Sequence, residues 1–289
     1  ENFDCLFTSH LLPKVMLEFY KYQGTGNDFV LIDASQSSEI IDQSLKRWSA
    51  TSFSQLAKFI CHRHFGIGGD GLILLLPPTG SNTQLKWDFY NSDGSAAEMC
   101  GNAARCVTEY YFKQRNEVGI LRLETLAGIL EGVMNSADNP SITMTRPFDY
   151  KSQVSLVLAK ETISYDFINT GVPHAVVVLP RWEINSNVKV QANEVQLHSD
   201  FSPDQTNVTY YCEKDRGIIE SASFERGVKD FTLACGTGAV AAAYCYNRTL
   251  NEPLKEVTVK VPGGTLEVSF NNEEIRLSGS VEKVFQGRM

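Results

Sequence analysis

Residues 99–105 read Met-Cys-Gly-Asn-Ala-Ala-Arg, and residues 234–240 read Ala-Cys-Gly-Thr-Gly-Ala-Val. Each stretch is a cysteine followed by glycine and a run of small residues, a composition typical of a tightly packed helix start. An aromatic residue lies eleven positions after each cysteine, at Tyr111 and Tyr246. The match predicts a chain built from two similar halves, each with a central helix that begins at its cysteine.

The duplication extends beyond the cysteines. Residues 125–131 resemble residues 261–267, and the second glycine-containing turn follows its cysteine at nearly the same interval as the first. The turn at Gly26-Asn27 has a counterpart at Gly171-Val172, each before an apolar strand. These repeats predict an α/β (α+β) fold of two similar domains related by a pseudo-twofold axis. Each domain is expected to be a strongly curved sheet packed around its central helix.

Alternating or β-rich runs bounded by glycine turns predict the strands. In the first half they lie at 17–22, 29–32, 72–76, 87–90, 120–124, 129–134 and 141–145. The second half begins near Val154, with strands at 167–170, 175–179, 207–213 and 218–224 and others starting at 257, 266 and 275. Helical spacing predicts helices at 54–63, 100–113 and 235–248.

Composition narrows the function classes. The 289 residues are 43% hydrophobic and carry a net charge of −8, which argues against a nucleic-acid or anionic-membrane partner. No apolar run approaches the ~18 residues that span a bilayer. Seven cysteines without regular spacing favour a reducing cytoplasm over a disulfide framework. Residues 1–15 precede the patterned sequence and are interpreted as an N-terminal extension of unknown role.

The paired cysteines indicate proton-transfer chemistry. The first N–H groups of a helix are unpaired and partly positive, so a thiolate at that point is expected to be stabilised and its pKa lowered toward neutrality. The amides of Gly101, Asn102, Gly236 and Thr237 are expected to hold a carboxylate. One sulfur on each face of an α-carbon is what stereoinversion requires, with one group acting as base and the other as acid.

Two other patterns carry alternative interpretations. Cys61-His62-Arg63-His64 suggests a zinc-binding protein, but no second cysteine pair with structural-site spacing accompanies it. The glycine run 66–71 suggests a nucleotide loop, but it precedes a strand, whereas a phosphate loop leads from a strand into a helix. The remaining cysteines lack the glycine context and are interpreted as core residues: Cys5, Cys61, Cys106, Cys212 and Cys245.

The motifs together resemble those of the diaminopimelate epimerases, cofactor-independent enzymes that interconvert LL- and meso-diaminopimelate on the route to lysine and peptidoglycan. The matching motifs are GTGNDF at 24–29, HFGIGGDG at 64–71, FYNSDGS at 89–95, MCGNAARC at 99–106, GVPH at 171–174, ERG at 225–227 and ACGTGA at 234–239. They extend from about Phe19 to the C-terminus.

The resemblance implies a set of functional residues. Cys100 and Cys235 match the two catalytic bases, and His174 and Glu225 match positions that tune the cysteine pKa values. The positions that match substrate-binding residues are Asn27, Asn91, Gly101, Asn102, Asn207, Glu225, Arg226, Gly236 and Thr237. No metal or other cofactor is implied, and the only partners expected are the small-molecule substrate and a second copy of the chain in a homodimer.

The resemblance also implies a domain division. An N-terminal domain is expected over 16–147 and a C-terminal domain over 148–278, with a last strand at about 279–289 returning to the first domain. Two positions depart from the family pattern: Val172 stands where the family commonly has asparagine, and Gly71 where it often has glutamine. These departures affect recognition of the distal end of the substrate rather than the proton transfer.

A same-fold proline or hydroxyproline racemase is the nearest alternative. Those relatives typically carry histidine after the first Cys-Gly, where this chain has Asn102. Asn207 and the pair Glu225-Arg226 also suit an amino-acid substrate with a second zwitterionic end.

Overall fold

The computed structural model describes residues 17–37, 39–47, 50–271 and 274–289. The predicted N-terminal extension, with Cys5, lies outside these residues. The first part of the chain forms β1 Glu18–Gly24, β2 Asn27–Asp33, α1 Glu39–Arg47, α2 Phe53–Ile60, β3 Gly71–Leu76, β4 Leu85–Asn91, α3 Gly101–Arg115, β5 Leu121–Thr125, β6 Gly128–Ser136 and β7 Asn139–Met144.

The second part repeats the plan and adds a final strand. Its elements are β8 Phe148–Val157, β9 Thr162–Asn169, β10 Pro173–Val178, α4 Ser186–Gln196, a 3₁₀ turn Ser199–Phe201, β11 Asn207–Asp215, β12 Ile218–Glu225, β13 Asp230–Phe231, α5 Gly236–Thr249, β14 Glu256–Val261, β15 Gly264–Asn271, β16 Glu274–Ser278 and β17 Val281–Arg288.

The two halves of the sheet have the same strand order and the same pattern of parallel and antiparallel neighbours. One half of the sheet runs β17-β1-β2-β3-β4-β5-β6-β7. The other runs β8-β9-β10-β11-β12-β14-β15-β16. In each half the third and fourth strands, and the fifth and sixth, are parallel, and the other neighbours are antiparallel. The antiparallel pair β7–β16 joins the halves into one sheet. The predicted α/β fold with duplicated, pseudo-twofold-related halves is confirmed.

Each half curves around its central helix. Helix α3 contacts β17 and β1 near one edge of its half and β6 and β7 at the other, so the strands must bend round it. Nearly all of α3 from Gly101 to Phe112 is buried, and most of α5 is buried as well. A helix buried on every side belongs to a core, and one apolar cluster includes residues of both helices. The outer faces of the two half-sheets are covered by α2 and α4 respectively.

The two resembling segments of sequence are equivalent hairpins. Thr125 pairs with Gly128 across the β5–β6 turn, and Val261 pairs with Gly264 across the β14–β15 turn. Both glycines have positive φ (108° and 148°), which a side chain at Cβ disfavours. The sequence resemblance therefore reflects a shared turn geometry.

Several boundaries differ from the sequence predictions. The central helices start one residue later than predicted, because Cys100 and Cys235 are N-cap residues with extended backbone. Strand β8 begins at Phe148, before the predicted Val154, and bulges with positive φ at Asp149 and Gln153 interrupt its alternation. Helices α1 and α4 have no counterpart among the predicted elements. Only three residues of α4 are buried, which leaves a weak apolar pattern.

The described residues contain no helix long and apolar enough to cross a membrane.

Candidate active site

The two paired cysteines cap the central helices. Cys100 precedes α3 and Cys235 precedes α5, with closely similar backbone dihedrals (φ −142°, ψ 115° and φ −116°, ψ 110°). The first intrahelical hydrogen bond of α3 runs from Ala104 N to Cys100 O (2.9 Å), and that of α5 starts at Ala239 N. The amides before these residues have no carbonyl partner within their helix, so each helix start presents N–H groups to an anion.

The two helix starts meet where the halves join. A Cβ placed on Gly236 would lie 3.7 Å from Gly101 Cα and 3.0 Å from the Leu277 side chain on β16. A Cβ placed on Gly101 would lie 3.4 Å from the same leucine. The two helix starts therefore lie next to each other at the joint, and Leu277 limits the space at Gly236 more tightly than at Gly101.

Strand register places most of the other candidate residues at matched strand ends. Gly71 at the start of β3 lies opposite Asn91 at the end of β4. The register of β11 and β12 places Asn207 opposite Glu225 in the same way. The parallel partner of Asn207 on β10 is His174, and the partner of Gly71 on β2 is Phe29. The fold is thus duplicated at the site while the side chains differ.

Asn27 links the first cysteine to its surroundings. Its Oδ1 accepts hydrogen bonds from Cys100 Sγ (3.8 Å) and from Asn102 Nδ2 (3.2 Å). Its Nδ2 donates to Asp70 Oδ2 (2.7 Å). Asn102 Nδ2 also donates to the carbonyl oxygen of Ala234 (3.2 Å), which precedes the second cysteine. One amide network therefore connects both cysteine stretches.

Charged residues behind Asn27 fix its orientation. Arg63 donates to Asp70 Oδ1 (2.8 Å) and to Asp28 Oδ1 (2.7 Å), and Lys21 donates to Asp28 Oδ2 (2.6 Å). Burial alone would raise the pKa of Asp28, but the hydrogen bonds from Arg63 and Lys21 lower that pKa to about 2. No pattern in the sequence predicted this ion-pair network, although Asp28 and Asp70 belong to the motifs at 24–29 and 64–71.

The second cysteine begins a chain of hydrogen bonds through His174. Cys235 Sγ lies 3.4 Å from Thr237 Oγ1, which lies 3.0 Å from His174 Nε2. His174 Nδ1 lies 2.8 Å from Thr209 Oγ1, and that hydroxyl lies 2.8 Å from Ser223 Oγ. Thr209 and Ser223 gave no signal in the sequence, because a polar residue within a strand predicts no particular contact.

His174 is fully buried and neutral. Burial, together with the nearby positive charge of Arg226, lowers the pKa of His174 from 6.5 to about 3. Glu225 is also enclosed: its Oε1 accepts from Thr232 Oγ1 (2.5 Å), and burial raises its pKa. The second half therefore places a half-buried carboxyl group near Cys235 and a neutral imidazole behind Thr237.

The predicted lowering of the cysteine pKa values is wrong for this structure. Burial raises the pKa of Cys100 to about 11, although the amides of Ala103 and Asn102 act in the opposite direction. Burial raises the pKa of Cys235 further, and Glu225 adds to the increase. The helix start does favour the thiolate, but the loss of water around a buried sulfur outweighs it.

The other predicted substrate-binding residues lie in two places. Asn207 Oδ1 accepts from Arg226 N (3.0 Å), and one amino group of Arg226 donates to the Asp204 carbonyl oxygen (2.8 Å). Among the described residues the Arg226 guanidinium forms no ion pair. Asn91 is exposed and donates to Ser95 Oγ (2.9 Å) within its own turn. The structure therefore leaves Arg226 and Asn91 available to a ligand.

The two departures from the family pattern lie in different local settings. A Cβ on Gly71 would lie 2.7 Å from the Phe89 ring and 2.9 Å from the Tyr90 carbonyl oxygen, so a longer side chain does not fit there unless the ring and the backbone of β4 both move. Val172 is partly buried in the β9–β10 turn, where its carbonyl oxygen accepts from Thr170 N (3.1 Å). Within the described part of the chain, no three His, Cys, Asp or Glu side chains form a group that could hold a metal ion.

Comparison with known proteins identifies the family. The family model described as diaminopimelate epimerase matches residues 19–149 and 167–284. The chain belongs to the diaminopimelate epimerase family. Family membership makes it an enzyme of the isomerase class.

Relatives of similar length support the assignment. The diaminopimelate epimerase of Aquifex aeolicus is 37% identical over 277 residues, which cover 94% of this chain and 98% of that protein. The diaminopimelate epimerase of Hydrogenobaculum is 30% identical, with 93% and 97% covered.

Solved structures at lower identity share the fold of the family. A hydroxyproline epimerase from Agrobacterium vitis aligns with a TM-score of 0.64 at 15% identity, covering 96% of this chain and 93% of that one. A probable proline racemase from Agrobacterium radiobacter aligns with a TM-score of 0.68 at 13% identity, covering 94% and 92%. A PhzF-family protein of Bacillus anthracis aligns with a TM-score of 0.64 at 15% identity, covering 95% and 99%.

Proposed function

We propose that the protein interconverts LL- and meso-2,6-diaminopimelate without a cofactor, with Cys100 and Cys235 as its two bases. The observation that supports this most directly is the meeting of two cysteine-capped helix starts at the joint between the duplicated halves. Inversion at carbon requires proton removal on one face and proton return on the other. A pseudo-twofold pair of thiols supplies one group to each face.

In the proposed reaction the α-carbon of the substrate loses one proton and gains another on its opposite face. The thiolate of one cysteine takes the α-proton, and the electron pair of the broken C–H bond delocalises into the substrate carboxylate. The thiol of the other cysteine then gives its proton to the opposite face and becomes the thiolate. The amides of Gly101, Asn102, Gly236 and Thr237 precede the first intrahelical hydrogen bonds, and they donate to the carboxylate while its negative charge increases.

Recognition of the distal end is assigned to the remaining polar residues. Arg226 lacks an ion pair among the described residues, so its guanidinium suits a bidentate contact with the distal carboxylate. Asn207 holds the backbone of Arg226, and Glu225 lies at the opposing strand end. Asn27 and Asn91 occupy the corresponding edge of the first half and offer amide groups to the substrate.

His174 and Glu225 are proposed to tune the second cysteine. His174 reaches Cys235 through the Thr237 hydroxyl and acts as a neutral hydrogen-bonding group, since its pKa is about 3. Glu225 raises the pKa of Cys235 by its negative charge. We expect the reaction to serve the biosynthesis of lysine and peptidoglycan precursors, in the cytoplasm and as a homodimer.

An isotope-exchange assay tests the function. The purified protein is incubated with LL-diaminopimelate in D₂O, and the product is analysed for meso stereochemistry and α-deuterium. Cys100→Ala and Cys235→Ala are each expected to lower epimerisation by roughly a thousandfold or more, because each removes one of two obligatory proton carriers. Cys212→Ala is the matched control, since Cys212 lies in β11 outside the site and donates to its neighbour's carbonyl.

A fully active Cys100→Ala or Cys235→Ala enzyme would contradict the two-base assignment. The same assay with L-proline separates the same-fold racemase, since deuterium incorporation into proline but not into diaminopimelate would reassign the substrate. Zinc analysis of the active protein tests the alternative that the chain is a zinc-binding protein, which predicts bound zinc.

A further inference from the structure

Asp70 lies directly behind the amide of Asn27. It immediately precedes β3, and its Oδ2 accepts hydrogen bonds from Asn27 Nδ2 (2.7 Å) and from Asp28 N (3.2 Å). The backbone N–H of Asp70 in turn donates to the Asp28 carbonyl oxygen (2.7 Å). These three hydrogen bonds fix the carboxylate at the start of β2, next to the side chain that faces Cys100.

The partners of the Asn27 amide determine which of its two ends faces each neighbour. An ionised carboxylate only accepts hydrogen bonds, so Asp70 binds the Nδ2 end and disfavours the reversed amide, which would bring oxygens together. On the other side, Asn102 Nδ2 donates to Asn27 Oδ1 (3.2 Å). The orientation of Asn27 is therefore set from two sides, and its oxygen is the end that faces Cys100 Sγ (3.8 Å).

Arg105 fixes the second amide of this chain of hydrogen bonds. Its guanidinium, which is 0% exposed and can only donate, binds Asn102 Oδ1 (2.6 Å). Asn102 therefore presents Nδ2 to Asn27 Oδ1 and to the Ala234 carbonyl oxygen (both 3.2 Å). Among the described residues Arg105 has only neutral partners. The two amides thus form a directed chain that begins at a guanidinium donor and ends at the Asp70 carboxylate.

The second half lacks this arrangement. The register of β10 with β11 matches that of β2 with β3, so Val172 stands at the position of Asn27 and Thr206 at that of Asp70. Thr206 is fully buried, and its hydroxyl donates to the Asn207 carbonyl oxygen (3.0 Å). Because valine carries no amide, the side chain held by a carboxylate is a property of the Cys100 side alone.

Both carboxylate oxygens of Asp70 are in use. Oδ2 binds the Asn27 amide, and Oδ1 accepts from Arg63 (2.8 Å). The side chains of Arg63 and Asp70 are 57% and 44% exposed, and an ion pair this exposed contributes little to stability. The contact with Asn27 is therefore the interaction through which Asp70 influences the site.

We propose that Asp70 is a positioning residue for proton transfer at Cys100, a role that it performs by holding the Nδ2 end of Asn27. The acceptor end of that amide then stays beside the sulfur, where it orients the S–H bond when Cys100 carries the proton. This inference rests on the proposed two-cysteine function and adds to it a residue that acts from behind Asn27.

Asp70→Asn tests the role with a side chain of equal size. An amide accepts at one oxygen only, so residue 70 can then serve either Arg63 or Asn27, and its N–H₂ group faces the other donor. The rate of α-deuteration of diaminopimelate in D₂O is expected to fall by about ten- to a hundredfold, since small misplacements at a reacting centre have effects of this size.

Arg63→Gln is the matched control. It removes the ion pair at Oδ1 and leaves the contact between Asp70 and Asn27, so α-deuteration is expected to fall by less than about fivefold. Equal losses in Asp70→Asn and Arg63→Gln would overturn the proposal, because the ion pair alone would then account for the effect.

A double-mutant cycle asks whether Asp70 acts through Asn27. The rate of α-deuteration is measured for Asp70→Asn, for Asn27→Ala and for the double variant. If the amide carries the effect, Asp70→Asn should lower the rate by less than about threefold once residue 27 is alanine. Losses that multiply independently in the double variant would overturn the proposal.

The hold on the amide is measured without substrate. In ¹⁵N-labelled protein, the side-chain amide signal of Asn27 is identified by its loss in Asn27→Ala. Its protons are expected to exchange with water at least about tenfold more slowly than those of Asn91, which is exposed in its own turn. Asp70→Asn should remove this protection. Rapid exchange in the wild type, or unchanged protection in Asp70→Asn, would overturn the proposal.

The two measurements separate this proposal from the proposed function. Full α-deuteration by Asp70→Asn would reject the role of Asp70 and leave the proposed function standing. A wild-type protein that does not deuterate diaminopimelate, with an Asn27 amide that Asp70→Asn releases, would reject the proposed substrate and support the hold on the amide. If circular dichroism shows that Asp70→Asn does not fold, the amide exchange of the wild type still decides.

Discussion

At the level of single residues, His174 is fully buried and carries no charge at neutral pH. Both ring nitrogens contact threonine hydroxyls, and the ring occupies the position that Phe29 takes in the first half. A polar ring in an apolar position is tolerated because its hydrogen bonds are satisfied. A neutral imidazole has one donor nitrogen and one acceptor nitrogen, so its tautomer determines whether the Thr237 hydroxyl donates to it or accepts from it. An imidazolium would donate from both nitrogens.

We therefore expect His174 to remain neutral across the working pH range. Long-range proton–nitrogen spectra should show one neutral tautomer of this ring from pH 8 to pH 5, because its folded pKa is about 3. A folded-state pKa below the unfolded value of 6.5 gives stability that is fully present above pH 6.5. That contribution is lost as the pH falls toward 3, so the urea midpoint should decline below pH 6.5.

The matched control is the same ring in 8 M urea, where it should titrate near 6.5. A titration midpoint of His174 above pH 6 in the folded protein would contradict the burial argument. A urea unfolding midpoint that does not change between pH 6.5 and pH 4 would contradict it as well.

The residue-level chemistry was only partly predictable from the sequence. The Cys-Gly motifs identified Cys100 and Cys235 because their context is local and repeats in the chain. The pKa of each sulfur depends on burial by distant strands, which no local pattern records, and the predicted lowering was therefore wrong. Arg105 was visible in the motif, but its lack of an anionic partner is a property of the packed structure.

At the level of elements, the two equivalent hairpins have different surroundings. In the second half, Gly263 donates to the Leu233 carbonyl oxygen (2.7 Å), and a Cβ there would lie 1.9 Å from the Thr25 carbonyl oxygen. The β14–β15 turn thus packs directly on the β1–β2 turn of the other half. The corresponding residue of the β5–β6 turn is Ala127, which is exposed. The β14–β15 turn therefore holds the two halves together, whereas the equivalent β5–β6 turn is exposed.

Gly263→Ala is expected to lower the free energy of unfolding by about 3 kcal/mol, because the methyl group meets backbone that cannot rotate away. The measurement is urea unfolding followed by circular dichroism. Epimerisation should also fall, since Asn27 directly follows the displaced turn.

Ala127→Gly is the matched control and is expected to change the unfolding free energy by less than about 1 kcal/mol, chiefly through the unfolded chain. Equal losses of unfolding free energy in the two variants would contradict this argument, because the close contact of Gly263 with Thr25 would then be no more important for stability than an exposed turn residue.

The sequence predicted elements best where they repeat. The β5–β6 and β14–β15 turns were recognisable because the two copies resemble each other. Helix α4 was missed because it is mostly exposed, although the parallel pair β10–β11 requires a crossover connection of this kind. The start of β8 was missed because its bulges interrupt the period of two.

At the level of the whole molecule, the first half obtains its outer strand from the end of the chain. Strand β17 pairs with β1, and β8, which pairs with β9, holds the equivalent place in the second half. The first half is therefore a circular permutant of the second. We propose domain boundaries on this basis at 16–147 with 279–289, and at 148–278.

A permuted chain tests this division. Leu17 and Met289 exchange backbone hydrogen bonds of 2.8 and 2.9 Å, so a linker of about five residues can join them. A chain that starts at Phe148, passes through Met289 and the linker, and ends at Pro147 is expected to fold and to keep exchange activity within about tenfold of the parent.

A second permutant opened inside β11, at Tyr210, is the control and is expected not to fold, because that residue is fully buried. Failure of the first permutant, with soluble and active parent protein, would contradict the proposed boundaries.

The crossover from β16 to β17 has a further consequence for how the protein tolerates change. Its two residues, Gly279 and Ser280, lie against Arg105: Ser280 supplies a carbonyl oxygen, and a Cβ on Gly279 would lie 2.5 Å from the guanidinium. Short connections between strands ordinarily accept insertions and deletions with little effect. Here an insertion or deletion would move the Ser280 carbonyl oxygen, which accepts a hydrogen bond from Arg105. Length variation in homologous genes should therefore be tolerated at the exposed 126–127 turn and selected against at 279–280.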